Sequence, residues 1–298
     1  MAQAKPAAQA GVNLSDPALH MQQNNTPPLT GEQLKLLKQW FRKYVHSYYT
    51  ADPFLQPDLV LKEKHSRHVA GEIRAIGSQL GLGANGLRIA EAMGLLHDIG
   101  RFEQVTRYRT FVDGKSENHA ELGIRVLQQE QALASWEEQT RQLVMKAISY
   151  HNRLSIPEDE SPATLFYSRL LRDADKLDIL ALFAAYYSGG QGKRSTVVEL
   201  DLPDEPGISA EVLGSLQQGK AVNMRQLRFF NDFKLLQLAW VYDINFDLTL
   251  ATLHTRGYLQ KIREALPPSN QIDRLYDRLL SYIEDRLRAQ RAGAGHSR

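Results

Sequence analysis

The chain has 298 residues, enough to bury a substantial core as one large domain or two small ones. A mix of 43% hydrophobic and 23% charged residues is that of an ordinary globular protein, and a formal net charge of +2 is too small a surplus to signal nucleic-acid binding. With no cysteine, a disulfide scaffold, a thiolate nucleophile and a zinc–sulfur site are excluded, so any metal has to be held by His, Asp, Glu or water.

Residues 1–30 are rich in Ala, Gln, Asn and Pro without hydrophobic periodicity, and read as a disordered or loosely docked arm, with a weak helix signal at 17–21. They contain no apolar stretch of the kind a secretory signal needs, and no later run approaches the ~20 apolar residues of a membrane span, so a cytoplasmic protein without membrane contact is expected. Thr30 followed by Gln33 is a capping box, after which Leu34, Leu37, Phe41 and Val45 recur at helical spacing, with Trp40 and Tyr44 widening the stripe. Pro53 and Pro57 end that helix. A second helix is expected over 58–80, stopped at Gly81 and Gly83, and a third over 86–98, with Gly100 as its stop. Residues 106–111 and the Asp113-Gly114 pair read as a loop. Helices are expected again over 116–129, 136–150, 162–187, 224–242 and 272–289. Strand-like alternation is confined to 195–200, too short to set a fold class. The class is all-α. A Gly/Pro-rich stretch around Gly189, Gly190, Gly192, Pro203 and Pro206 divides a helical domain, 31–188, from a C-terminal helical extension, 189–298. The apolar runs from Leu227 to Trp240 and from Leu275 to Leu287 read as core of that extension, with a homodimer or partner surface as the competing reading.

Four of the nine histidines sit in marked contexts: His65 in KHSRHVA, His97 in LLHDIGR, His119 in SENHAELG and His151 in ISYHNR. A further helix carries Asp173, Asp175 and Asp178 in RDADKLDIL. Imidazole nitrogens and carboxylate oxygens together suit Fe, Mn, Zn, Ni or Co, and facing helices of a bundle are a common place to assemble such a set. Taken singly, each residue also has a structural reading: a hydrogen-bonded core histidine, or an ion-pair ladder for RDADKLD. The coincidence of five successive helical segments each presenting one favours the metal reading. His20 and His296 fall in the tails, and His46 and His254 lack supporting neighbours.

In the order of these motifs, the segment from Lys62 to Leu180 resembles the HD-domain metal-dependent phosphohydrolase superfamily. His65, His97-Asp98 and Asp175 match its mononuclear metal set, and His119 and His151 match its binuclear members. One departure is His68, where the family often has Arg. The resemblance implies an HD-type helical bundle holding one or two divalent transition metals (Fe, Mn, Ni, Co or Zn, with Mg as a further candidate), Asp98 bridging, and hydrolysis of a small phosphorylated substrate, a nucleotide by preference, by a metal-bound hydroxide. Within that frame Arg101 is the expected phosphate clamp, Lys176 a charge-neutralising group and Asp178 a proton-transfer or ligand-supporting group. Arg109 is expected on phosphate, with Tyr108 or Phe111 against a base, and Asn118 and Asn152 are expected to bind substrate or orient the ligands they flank. The competing readings are a non-hydrolytic nucleotide- or metal-binding regulatory module and an HD-type di-iron oxygenase.

Overall fold

The computed structural model describes residues 28–189, 199–200, 202–220, 222 and 224–295, with side chains to 291. The N-terminal arm through residue 27, the helix signal at 17–21, the first four residues of the strand candidate, Gly190, Gly192, His20 and His296 lie outside the described residues. Those described are helical, with no strand among them, and none of their helices is long and apolar enough to cross a membrane. By contact they cluster into two compact units that part between Asp178 and Ile179.

The first unit opens with α1 (Gly31–Ser47), whose capping box is formed as its sequence dictates: Thr30 Oγ1 accepts from Gln33 N at 3.1 Å and Gln33 Oε1 accepts from Thr30 N at 2.9 Å. Its buried stripe is Leu34, Leu37, Phe41 and Val45. Then follow α2 (Gln56–Gln79), α3 (Ala84–Leu96), α4 (Gly100–Tyr108), a 3-10 turn at Asp113–Lys115, α5 (His119–Gln129), α6 (Glu138–Tyr150) and α7 (Pro162–Ser188). Helix α3 is apolar on nearly every side, with Ile89, Ala90, Ala92, Met93, Gly94, Leu95 and Leu96 all buried, so it takes the centre of the unit with α1, α2 and α6 packed on it. Gly94 lets α2 come close: a methyl there would lie 2.7 Å from Ala70 Cα.

Two expectations are corrected in this region. Gly100 does not stop a helix. His97 and Ile99 keep right-handed helical dihedrals, Gly100 has no left-handed φ, and it opens α4, which covers Thr106 to Tyr108 where a loop was expected. The reason is tertiary. Phe102 and Val105 bury one face of α4, and Gly100 meets α5 so closely that a β-carbon would stand 2.2 Å from the His119 carbonyl oxygen and 2.6 Å from Gly123 N. A glycine chosen for close backbone approach carries the same letter as one chosen to end a helix.

The second unit contains α8 (Ala210–Gln217), α9 (Phe230–Ala239), α10 (Asp247–Thr255), α11 (Tyr258–Glu264) and α12 (Asn270–Gly295). The helix expected over 224–242 is broken there: a 3-10 turn at Met224–Gln226 and another at Trp240–Asp243 flank α9. Its first turn is fixed by the buried Asp232, which accepts from Ser209 N and Oγ and from Arg228 N and Phe229 N. Phe230, Phe233, Leu236 and Leu238 are buried, and Phe183 meets Phe233 edge-on at 5.1 Å, so this apolar run serves as core of its unit.

Gly100→Ala is expected to cost about 1–3 kcal/mol, because the new carbon would meet backbone atoms of α5 that cannot turn away as a side chain can. Gly123→Ala, whose methyl would sit 3.2 Å from Ile99 Cγ2 and 3.3 Å from Gly100 N, should cost less. Melting temperatures of the two variants check the order; equal losses would mean that the α4–α5 contact is not the constraint.

Candidate metal centre

Helix ends and one helix face bring the six expected ligands together inside the first unit. His65 projects from the middle of α2, His97 is the C-terminal cap of α3 with Asp98 next to it, His119 is the first residue of α5, His151 is the C-terminal cap of α6, and Asp175 lies on α7. Three overlapping triads, His65–His97–Asp98, His97–His151–Asp175 and Asp98–His119–His151, each place their ligand atoms within 4.8 Å of one another. The two oxygens of Asp98 face different partners. Oδ2 lies 3.6 Å from both His65 Nε2 and His97 Nε2; Oδ1 lies 3.3 Å from His119 Nε2 and 3.7 Å from His151 Nε2. Asp175 Oδ1 completes the first half, 3.1 Å from His65 Nε2 and 3.5 Å from His97 Nε2.

Each ring is aimed by what its other nitrogen does. His97 Nδ1 is 2.8 Å from the carbonyl of Gly94, and His151 Nδ1 is 2.7 Å from that of Ile148. A carbonyl only accepts, so in both rings Nδ1 carries the hydrogen and Nε2 carries a lone pair in the neutral form. These carbonyls belong to the last helical turn, where no i+4 amide reaches them, and each is used here to orient a side chain three residues later; that of Ile148 also accepts from His151 N at 3.3 Å. The other two rings are held by carboxylates: His65 Nδ1 by Asp178 Oδ2 at 2.7 Å, and His119 Nδ1 by Asp113 Oδ2 at 2.8 Å.

That assignment is the test of whether the residues fit a metal. Four lone pairs converge, His65 Nε2 on His97 Nε2 at 3.2 Å and His119 Nε2 on His151 Nε2 at 2.9 Å, with two carboxylates beside them. Acceptors do not attract acceptors, and Asp175 Oδ1 is buried with no well-formed hydrogen bond. A cation among these atoms satisfies them all, so the set fits a divalent metal.

The charges agree. Burial raises the Asp98 carboxyl, but Lys62 and the surrounding cationic groups override it and hold it well below the usual carboxylate range. Burial likewise raises Asp175, and its contacts with His65 and His97 bring it well below that range. For His119, burial and then Arg101 push the pKa to about 3 against the pull of Asp113, so the imidazole is neutral and its lone pair available. His65 goes the other way. Burial and Lys62 lower it, yet the contacts with Asp175 and Asp178 prevail and lift it to about 8. Without metal, a proton therefore takes one of the places.

The residues expected around the ligands are placed as follows. Arg101 Nη1 donates to Gln104 Oε1 (2.7 Å), the Phe111 carbonyl (2.6 Å) and Asp113 Oδ1 (3.2 Å), while its Nε stands 3.4 Å from Asp98 Oδ1. Asn118 caps α5, its Oδ1 accepting from Ala120 N and Glu121 N, and Asn152 Nδ2 donates to Asn118 Oδ1 (3.0 Å) and Asp113 Oδ2 (3.2 Å). Arg109, exposed at the end of α4, donates to Asp52 Oδ2 at 2.6 Å. Lys176 is buried next to Asp175. Phe111 is buried, and Tyr108 donates to Glu117 Oε1 at 3.1 Å. His68 is largely exposed, with Nδ1 3.3 Å from Asp178 Oδ1. His46 stands 3.5 Å from Glu63 Oε2, and His254 is exposed.

Three contributors escaped the sequence reading. Lys62 donates to Asp98 Oδ2 at 2.7 Å; its place one turn before His65 was the available signal. Asp113 orients His119, and Gln104, fully buried, donates to Asp113 Oδ1 at 2.9 Å. Nothing in the spacing of Asp113 and Gln104 marks them, because a turn joins them to the site.

Residues 63–180 match the family model described as HD domain, a family of metal-binding proteins that are generally hydrolases. No curated protein and no solved structure matches the chain.

Since the His65 proton has to leave before a metal can take Nε2, affinity for a divalent cation is expected to fall about tenfold per unit as pH drops below about 8, and to level off above it. Calorimetric titrations with Mn2+ across pH 6–9 check this. A flat profile would place the proton elsewhere.

Proposed function

We propose that this HD-domain chain is a metal-dependent phosphohydrolase that holds two divalent cations and cleaves a small phosphoester, with a nucleotide as the preferred class. The observation that carries the reading is the division of Asp98: one carboxylate whose two oxygens each face two imidazole lone pairs, with Asp175 adding a further ligand on one side. Divalent cations bound there would lower the pKa of a coordinated water towards neutrality and neutralise charge on a phosphoryl group.

The chain's own residues supply aim and charge balance. His65, His97, Asp98 Oδ2 and Asp175 form one half of the site, and His119, His151 and Asp98 Oδ1 the other. Asp178 fixes His65 and makes it a stronger donor; Asp113 does the same for His119. Asn118 and Asn152 act as positioning residues, tying the start of α5 and the end of α6 to Asp113. Arg101 balances the charge of Asp98 and Asp113 and braces Phe111. Its guanidinium and Lys176 offer positive charge to a substrate, and Arg109 lies further out, at the end of α4. No protein nucleophile is required, in keeping with a chain that has no cysteine.

The site has an open side. The ligand histidines and Asp98 are almost fully buried, whereas the side chains of Lys62, Arg101 and Asp175 keep 16%, 14% and 15% of their surface exposed. Substrate therefore approaches past two cations, which suits a phosphoryl group.

Purified protein loaded in turn with Mn2+, Fe2+, Ni2+, Co2+, Zn2+ or Mg2+ should turn over members of a panel of nucleoside monophosphates, cyclic nucleotides and chromogenic phosphodiesters. Failure on every phosphoester with metal bound would overturn the reading; oxygen uptake by the iron-loaded form would favour an oxygenase. Asp98→Asn is expected to lower bound metal and to reduce turnover on the order of 10^3-fold or more, since several kcal/mol of transition-state stabilisation depend on the metals. Metal analysis and steady-state kinetics on the same preparation check both.

A further inference from the structure

Lys62 stands one turn before His65 on α2, and its ammonium donates to Asp98 Oδ2, the oxygen that faces His65 and His97. An ammonium has three donors. Among the described residues this is the one hydrogen bond Lys62 Nζ makes, and its side chain is four times as exposed as that of Asp98, 16% against 4%, so the ammonium keeps donors for a further partner. Its ammonium also lies over the Phe111 ring, 5.2 Å from the centroid. The same ring faces Arg101 Cζ at 5.6 Å. The two cations thus flank Asp98, Lys62 at Oδ2 and Arg101 at Oδ1, but they are used differently. Arg101 is held in place through Nη1 by Gln104, the Phe111 carbonyl and Asp113, whereas Lys62 is tied by hydrogen bond to Asp98 alone and can swing away.

The place Lys62 takes at Asp98 is also the place where positive charge is needed. Two imidazole lone pairs and the Asp175 carboxylate point at the same region. With a divalent cation held by these residues, Asp98 Oδ2 would no longer need the ammonium, whose flexible four-carbon stem lets it move. The nearest anion then offered to it is the substrate.

We infer that Lys62 is a phosphate-binding residue of this site: with metal in the His65–His97–Asp98–Asp175 half, its ammonium leaves Asp98 Oδ2 and donates to a non-bridging oxygen of the substrate's phosphoryl group. The inference rests on the phosphohydrolase reading and names the residue that recognises its substrate class.

Lys62→Met keeps an unbranched side chain of similar length and removes the charge. Full-length protein and variant are titrated with Mn2+ by calorimetry, and the Mn2+-loaded forms then with inorganic phosphate. The variant should bind Mn2+ at least as tightly as the parent, because a competing charge has gone. It should bind phosphate about tenfold or more weakly, the worth of one charge-assisted hydrogen bond. For a hydrolysed phosphoester, KM should rise by a similar factor with kcat less affected, and Lys62→Arg should restore much of the phosphate affinity. Unchanged phosphate binding overturns the inference. So does a loss of Mn2+ affinity, which would make Lys62 a strut for Asp98. If Lys62→Met does not fold, Lys62→Gln is read by the same titrations. The phosphate titration needs no turnover, so failure of the parent protein on every phosphoester would count against hydrolysis and leave the Lys62 comparison decisive on its own terms.

Discussion

Two pairs of imidazoles face each other nitrogen to nitrogen across a buried carboxylate, and in the neutral form each ring has its hydrogen on the far side. Everything else in the first unit follows from that constraint. Such a set is unfavourable unless positive charge enters it, because buried acceptors without donors have lost water and gained nothing. The protein supplies part of that charge itself, through Lys62 and Arg101 on the two oxygens of Asp98 and a proton on His65. A metal bound there would supply the rest. The stability of the fold and its affinity for metal would then be linked, with cation binding favouring the folded chain by mass action.

The helices are arranged to make this convergence inexpensive in backbone terms. Helix α3 lies in the centre of its unit because almost every side of it is apolar, so the residues at its end are delivered into the interior. Gly94 lets α2 approach with His65, and Gly100 lets α5 approach with His119. Both glycines are spacers between backbones. Their absent side chains set the distance between ligands that the histidines then bridge.

Much of this was legible in the letters. The capping box at Thr30, the buried stripe of α1, the all-helical class and the six His and Asp residues whose side chains converge follow from periodicity, turn chemistry and motif order. The resemblance to HD-domain proteins rests on the last of these, and residues 63–180 do match that family's model. What was not legible depends on packing between segments. The continuation of the chain through Gly100 into α4 is decided by Phe102, Val105 and the contact with α5. The break of the helix expected over 224–242 is decided by Asp232 gathering donors from Ser209, Arg228 and Phe229. Asp113 and Gln104 reach His119 through a turn with no periodic signature. Lys62 differs: its helical register with His65 was visible, but nothing in one sequence says which of two lysines beside a histidine faces inward.

Each half of the cluster contains one ring secured by its own helix and one secured from elsewhere. His97 and His151 lean on carbonyls three residues back, so their aim is settled as soon as their helices have formed. His65 and His119 lean on carboxylates that the fold must bring to them, from 113 and 6 residues away in the chain. Under thermal or chemical stress the two kinds of ring should not let go together: the carboxylate-held pair would lose its bearings first, leaving a half-assembled nest of two self-supported imidazoles. Re-forming the centre would then be a matter of returning α2 and α5 to a template already in position.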